Sequence, residues 1–208
     1  MEDRPIIFST PMVKAILDGR KSQTRRVIKP QPKPHSSGGW IWEKVGGVIA
    51  TKSGKIYKSK MLSRSPYGKP GDRLWVRETW RIFDNRIEDC GCNDPCSCHR
   101  YSGKPIYRAD NMEDEYKWKP SIHMPKKYAR IWLEITGVRV EQLQNISRKD
   151  AHAEGFHPSP YNGLESWKGQ PYGNANLAFE ACWNDINGKK HPWESNPFVF
   201  VISFRRLV

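Results

Sequence analysis

The sequence predicts a small α+β domain in which a few helices flank a mixed, partly closed β-barrel. Strand-like segments outnumber helical ones, and the helices fall between strands from distant parts of the chain. The last apolar run, residues 197–204, is almost continuous, which is typical of a strand buried on both faces. Since 208 residues suit one domain with insertions, we expect residues 1–208 to form a single domain, with insertions at about 31–65 and 84–118.

The first elements are a short strand and a capped helix. Residues 6–8 form an apolar run, and Pro11 stands at the first position of a helix expected over residues 12–17. Ser9 or Thr10 would cap that helix, and Gly19 would end it. A polar, basic stretch over residues 20–26 follows, and no strand is assigned to it.

The two insertions enclose a well-patterned strand. Residues 29–39 are a loop and 40–60 a weak hairpin, whereas 84–103 are polar and rich in cysteine. Between the insertions, the turn at 70–72 leads into a strand over residues 73–80, in which Leu74, Val76 and Glu78 share one face. A further short strand is predicted at residues 106–108.

The C-terminal part contains the longest strand and two helices. Residues 129–143 alternate in polarity, with Gly137 marking a bulge or bend. Ser147 caps a short helix that ends at Glu154 and Gly155. Residues 176–186 read as an amphipathic helix whose apolar stripe contains Phe179, Cys182, Trp183 and Ile186.

The charge balance favours an anionic partner. The 35 lysines and arginines exceed the 22 acidic residues and give a net charge of +13. Such a surplus attracts polyanions, and nine tryptophans supply flat rings on which bases can stack. RNA or a nucleoside is therefore the expected partner, and a solvated basic surface that only maintains solubility is the alternative.

The N-terminal residues and the cysteines indicate the compartment. The N-terminus is charged and no apolar run reaches 18 residues, so we expect no signal peptide and no membrane contact. Five cysteines, four of them within nine residues, do not suit a secreted disulfide framework. We expect a cytoplasmic protein with no organic cofactor, and the oligomeric state is left open.

Lys21, Thr24 and Arg26 are the first candidates for chemistry. A lysine with a lowered pKa can take the proton of a threonine hydroxyl and make it a nucleophile. The neighbouring Arg20 and Arg25 would lower that pKa by repulsion. The alternative is a solvated basic loop.

A second candidate surface lies on the 73–80 strand. Trp75, Arg77 and Glu78 could form a groove wall in which a base stacks on tryptophan and a charged side chain reads its edge. The alternative is a core strand with one outward ion pair. Tyr107 is a similar candidate for binding nucleic acid, and so are Arg20 and Arg26 in the basic stretch.

The cysteine cluster is a candidate zinc site. Cys90, Cys92, Cys96 and Cys98 could bind one structural zinc ion tetrahedrally. Their spacing is tighter than that of the usual C-x2-C pairs. The alternative is a loop of reduced thiols.

Several of these segments together resemble the ASCH domain family. The residues are 16–26 at the exit of the first helix, 70–76 at the start of the central strand, 143–155 and 197–204. The resemblance is nearest to the larger ASCH proteins of phages and prophages, and it implies a PUA-like barrel with a groove for RNA or nucleosides.

The resemblance also implies site residues. A small member of the family is a 4-acetylcytidine amidohydrolase with a proposed Lys, Thr and Glu triad, which falls here on Lys21, Thr24 and Glu154. Thr24 would attack the acetyl carbonyl, Lys21 would take its proton and Glu154 would help the amine to leave. Arg26 would hold the oxyanion. A non-catalytic RNA-binding module and a ribonuclease are the alternative functions.

Overall fold

A computed structural model describes residues 1–36, 39–42, 47–50, 62, 64–83, 103–110, 117–157 and 165–207. Its strands in chain order are β1 (Asp3–Ile7), β2 (Gln23–Val27), β3 (Lys33–Pro34), β4 (Trp40–Trp42), β5 (Gly47–Ala50), β6 (Arg73–Arg77), β7 (Trp80–Ile82), β8 (Pro105–Tyr107), β9 (Trp132–Gln142), β10 (Glu165–Trp167), β11 (Gln170–Tyr172) and β12 (Phe198–Leu207). The α-helices are α1 (Thr10–Leu17), α2 (Arg148–Ala153) and α3 (Ala175–Asn187).

The centre of the fold is a mixed five-stranded sheet in the order β1-β6-β9-β12-β2. β1 runs parallel to β6, and the other neighbouring strands are antiparallel. The expected α+β class is confirmed. The described strands do not close into a barrel, because β1 and β2 remain unpaired edges of this sheet. The space between those two edges is where the candidate site lies.

β12 carries the core, as its apolar run predicts. Residues 198–202 are buried, and they pack in one cluster with Val13 and Ile16 of α1 and with Phe179 and Trp183 of α3. The bulge expected at Gly137 is confirmed, since the β9–β12 register shifts between Ser203 and Phe204, opposite this glycine. Burial of apolar side chains on both faces of β12 therefore fixes the helices on the sheet.

The capping predictions agree with the structure in part, because Ser9 stands at the N-cap of α1 but its side chain makes no capping hydrogen bond. Pro11 lies in the first turn of α1, and the Ser147 hydroxyl accepts a hydrogen bond from the Asp150 backbone N–H at 3.1 Å. The predicted stripe of α3 is wrong at one position, because Ile186 is 56% exposed. That side chain lies at the C-terminal end of the helix, where it borders an open cleft.

The segment over residues 23–27, for which the sequence predicts no strand, differs most from the sequence-based expectation. It forms β2, which pairs with β12 through five residue pairs from Gln23 opposite Ser203 to Val27 opposite Val199. Gln23, Thr24 and Arg25 are buried despite their polarity. Ion pairs with three carboxylates make the burial of Arg25 tolerable, because buried charges need charged partners.

The inserted regions contain small sheets of their own. In the first insertion, β3, β4 and β5 form a three-stranded antiparallel sheet, and β7 pairs with β8 at the borders of the second. The predicted cysteine cluster at 90–98 lies outside the described residues. No helix among the described residues is long and apolar enough to cross a membrane.

Candidate active site

The backbone brings the exit of α1 against the end of α2. Lys21 and Glu154 form an antiparallel bridge, and the Ser22 N–H donates to the Ala153 carbonyl at 2.8 Å. Gly155 permits this approach, because its φ is +103° and a Cβ there would stand 3.0 Å from the Ala15 Cβ. Two residues that are 133 positions apart thus meet side by side.

Lys21 and Glu154 form a buried ion pair. The Lys21 Nζ donates to the Glu154 Oε2 at 2.7 Å and to the Glu154 main-chain carbonyl at 2.8 Å. The two residues are only 5% and 3% exposed. Burial lowers the pKa of Lys21 below its ordinary value of 10.5, and the Glu154 carboxylate opposes part of that change. The lysine is therefore poised to give up its proton more readily than a surface lysine.

Arg25 holds the other side of Glu154. Its Nη1 donates to the Glu154 Oε1 at 3.1 Å and its Nη2 to the Glu141 Oε1 at 2.5 Å, with the Asp150 Oδ2 at 3.3 Å. The Arg25 side chain is completely buried. A guanidinium with several donors in a fixed plane can bridge carboxylates in this way, so Arg25 fixes the Glu154 carboxylate. From the sequence, Arg25 was considered only as a charge that would lower the pKa of Lys21.

Thr24 and Arg26 reach the same cleft from β2. Thr24 is 4% exposed, and it lines the cleft together with Lys21, Arg26 and Glu154. The Arg26 Nη2 donates to the Ile7 carbonyl at 2.6 Å, and its guanidinium lies 5.0 Å from the centre of the Phe8 ring. Arg26 therefore joins the unpaired edges β1 and β2 above the buried ion pair.

The cleft has a volume of about 830 Å³, towards the upper end of the range for small-molecule sites. Its floor is polar, and its walls include the rings of Phe8, Tyr67 and Phe179. Its outer edge contains Lys29 and three successive residues after α3, Lys189, Lys190 and His191. A ligand would thus meet aromatic walls, a buried acid–base pair and a cationic mouth.

Cys182 is a second nucleophilic side chain in the cleft. Burial raises the pKa of its thiol to about 12, although the charge of Lys21 acts in the opposite direction. A thiol with that pKa is almost entirely protonated near neutral pH, and the thiolate is the reactive form. Cys182 therefore lacks the lowered pKa of a reactive cysteine, and Thr24 stays the candidate nucleophile.

Arg20 lies outside the cleft lining. Its Nη2 pairs with Asp18 at 2.8 Å and its Nη1 donates to the Gly155 carbonyl at 3.0 Å. The side chain thus braces the turn that carries Glu154.

The candidates Trp75, Arg77, Glu78 and Tyr107 are also absent from the cleft lining. The Arg77 guanidinium lies 5.3 Å from the Trp75 ring and donates to the Ile122 and Met124 carbonyls. These bonds tie β6 to the segment around residues 122–124. The structure therefore places the pair in a packing contact rather than on the wall of this cleft.

Glu78 and Tyr107 belong to a separate ion-pair cluster. The Glu78 oxygens accept from Arg130 at 2.9 and 3.0 Å, and that guanidinium lies 4.0 Å from the Tyr107 ring. Arg130 also pairs with Asp110 at 2.8 Å. Burial raises the pKa of Glu78, against the opposing effect of Arg130. This arrangement matches the alternative of a core strand with an ion pair.

No group of three metal-ligating side chains is found within the described ranges. The proposed zinc ligands Cys90, Cys92, Cys96 and Cys98 lie outside those ranges, so the zinc site stays a prediction.

Comparisons with known proteins give one weak structural likeness. No family model matches the chain, and no curated protein matches it either. A crystal structure of an ASCH domain from Lactobacillus crispatus is 13% identical, and the alignment covers 99% of this chain and 79% of that one with a TM-score of 0.41. A likeness of this degree carries no argument about function, so the proposals below rest on the site itself.

Proposed function

We propose that the cleft is the active site of a hydrolase that removes an acyl group from a modified nucleoside, either free or within RNA. The observation that carries the proposal is the buried Lys21–Glu154 pair in the same cleft as Thr24. A nucleophile, a base and an acid are the three groups that acyl transfer from an amide requires. The net charge of +13 suits a nucleic-acid substrate.

The reaction begins with a proton shift within the pair. Moving the proton from the Lys21 Nζ to the Glu154 Oε2 gives a neutral amine and a carboxylic acid, and burial of Lys21 favours the neutral amine. The amine takes the Thr24 proton while the Thr24 Oγ1 attacks the acyl carbonyl carbon. Arg26 stabilises the resulting oxyanion.

Collapse of the intermediate breaks the bond between the acyl carbon and the base nitrogen. Glu154 gives its proton to the departing amine, which restores the charged Lys21–Glu154 pair. After a second proton shift within the pair, water attacks the acyl-threonine ester and Lys21 takes a proton from that water. The bond between the acyl carbon and the Thr24 Oγ1 then breaks, Glu154 gives its proton to the Oγ1, and the carboxylic acid leaves. Arg25 keeps the Glu154 carboxylate in place throughout, since its Nη1 lies 3.1 Å from the Oε1.

The test is turnover of 4-acetylcytidine and longer acyl analogues, followed by mass spectrometry across a pH range. We expect deacylation whose kcat/KM declines at high pH, once Lys21 loses the proton that the pair must share. Because burial lowers the pKa of Lys21, the decline should begin below the ordinary lysine value of 10.5. No turnover of any analogue, with the protein folded, would contradict the proposal.

A non-catalytic RNA-binding module is the second candidate. Both Glu154 oxygens and the Lys21 ammonium are already hydrogen-bonded, which is also the pattern of a purely structural ion pair. This candidate predicts RNA affinity that falls steeply with salt and no turnover. A ribonuclease is less favoured, because the described lining of the cleft contains one histidine, His191, and no acidic metal cluster.

A further inference from the structure

The mouth of the cleft is lined by a basic rim, which consists of Lys29, Lys189, Lys190 and His191. Lys29 follows the end of β2, and the other three residues follow α3. The three lysines are exposed, and His191 is partly buried. Two distant segments thus bring like charges to one opening.

The lysines of the rim have no acidic partner within the described residues. Asp185 also borders the cleft, but its carboxylate pairs with Lys168 at 2.7 Å. The Glu154 carboxylate is already ion-paired with Lys21 and Arg25 on the floor of the cleft. The positive charge of the rim is therefore left for a ligand.

The rim is held close together and is anchored. Lys29 and Lys190 are near enough to His191 to lower its pKa, in addition to the effect of burial. The His191 carbonyl accepts from the Trp183 Nε1 at 2.8 Å, and the Lys190 and His191 N–H groups donate to Asn187. Like charges fixed near one another raise the electrostatic energy of the free protein, and an anion relieves it.

We propose that the basic rim binds a phosphate group of the substrate, so that the preferred substrate is a phosphorylated nucleoside or a nucleotide within RNA rather than a free nucleoside. This inference rests on the proposed function for the identity of the reacting group. Lysines that neutralise phosphates position a nucleic acid without reading its sequence. The cleft would then hold the acylated base on its floor and the phosphate at its mouth.

The alternative explanation is that these lysines only compensate the dipole of helix α3. Lys189 and Lys190 follow the C-terminal end of α3, where cations are favoured. Lys29 does not follow a helix, yet it borders the same opening. Helix compensation therefore explains two of the three lysines and does not explain their convergence on the cleft.

The experiment compares four substrates and two double variants. The substrates are 4-acetylcytidine, its 5′-monophosphate, its 3′-monophosphate and a short RNA that contains it. The test variant is Lys189→Gln with Lys190→Gln. The matched control is Arg148→Gln with Lys149→Gln, which removes two exposed charges that do not line the cleft.

For the wild type we expect a KM about tenfold lower for at least one phosphorylated substrate than for the nucleoside. The test variant should lose that preference, and added salt should weaken the preference in the wild type. The control double variant should keep the preference for the phosphorylated substrate. The substrate with the largest gain identifies whether a terminal phosphate or a phosphodiester is bound.

Equal KM values for phosphorylated and free nucleoside in the wild type would overturn the inference, as would equal losses in both double variants. If no substrate turns over, the proposed function fails, and calorimetric binding of cytidine and its monophosphates decides the role of the rim separately. Tighter binding of a monophosphate that only the test variant loses would support the rim. Indifference to phosphate would overturn it.

Discussion

Replacing Arg25 with methionine is expected to lower the free energy of unfolding by about 3 kcal/mol, at the low end of the range for breaking a buried ion pair. The change removes a fully buried guanidinium that contacts Glu154, Glu141 and Asp150. Lys21 and Arg139 still neutralise part of this acidic group, which limits the loss. Urea-induced unfolding followed by tryptophan fluorescence measures the effect.

Arg139→Met is the matched control. Arg139 contacts two of the same carboxylates, Glu141 at 3.1 Å and Asp150 at 2.9 Å, but its side chain is 33% exposed. Solvent screens such a pair, so its removal should cost less than about 1 kcal/mol. Equal losses for the two variants would show that burial of Arg25 does not govern the stability of the site.

Replacing Lys21 with methionine is expected to lower kcat by about 10²–10⁴-fold, the usual contribution of general acid–base catalysis. Methionine keeps much of the side-chain volume but cannot accept the Thr24 proton or donate to Glu154. The change also leaves the Glu154 Oε2 without its 2.7 Å partner, so some stability is lost as well. Steady-state kinetics on the best acylated substrate measures the effect.

The control separates chemistry from folding. Arg205→Met removes an exposed cation that pairs with Glu134 outside the cleft, and it should change kcat little. Circular dichroism at the assay temperature establishes that both variants are folded. A folded Lys21→Met protein with wild-type kcat would remove Lys21 from the mechanism and favour the binding module.

The helices were predictable from the sequence because their signals are local. Pro11 and the Ser147 cap each act within one turn, and the structure has α1 and α2 where these residues predict them. The β9 bulge was predictable for the same reason, since Gly137 marks it within the strand. Local backbone preferences of this kind need no knowledge of distant partners.

β2 and Arg25 were not predictable, because their burial depends on residues more than 100 positions away. Arg25 reads as surface charge until Glu141 and Glu154 are brought beside it, across separations of 116 and 129 residues. A polar strand of this kind carries no hydrophobic alternation. Only its adjacency to Val27 and Ile28 could have suggested that the chain continues into a strand.

The same dependence on distant partners explains why one of the two candidate surfaces forms a cleft and the other does not. Lys21 and Glu154 meet in the cleft, whereas Glu78 is paired with Arg130 outside it. Alternation showed that one face of the predicted 73–80 strand is buried, but it could not show that Glu78 pairs with Arg130, which lies 52 residues later in the chain. A charged residue in a strand can therefore be assigned to ligand binding only once its ion-pair partner is known.

The most direct test of the central claim is the rate of acyl removal by Thr24→Val beside Thr24→Ser. Valine preserves the shape of the buried Thr24 side chain without its hydroxyl, whereas serine keeps the hydroxyl. If Thr24 is the nucleophile, the valine variant should lose at least about 10³-fold in kcat and the serine variant should retain measurable turnover. Wild-type turnover by folded Thr24→Val would contradict the account.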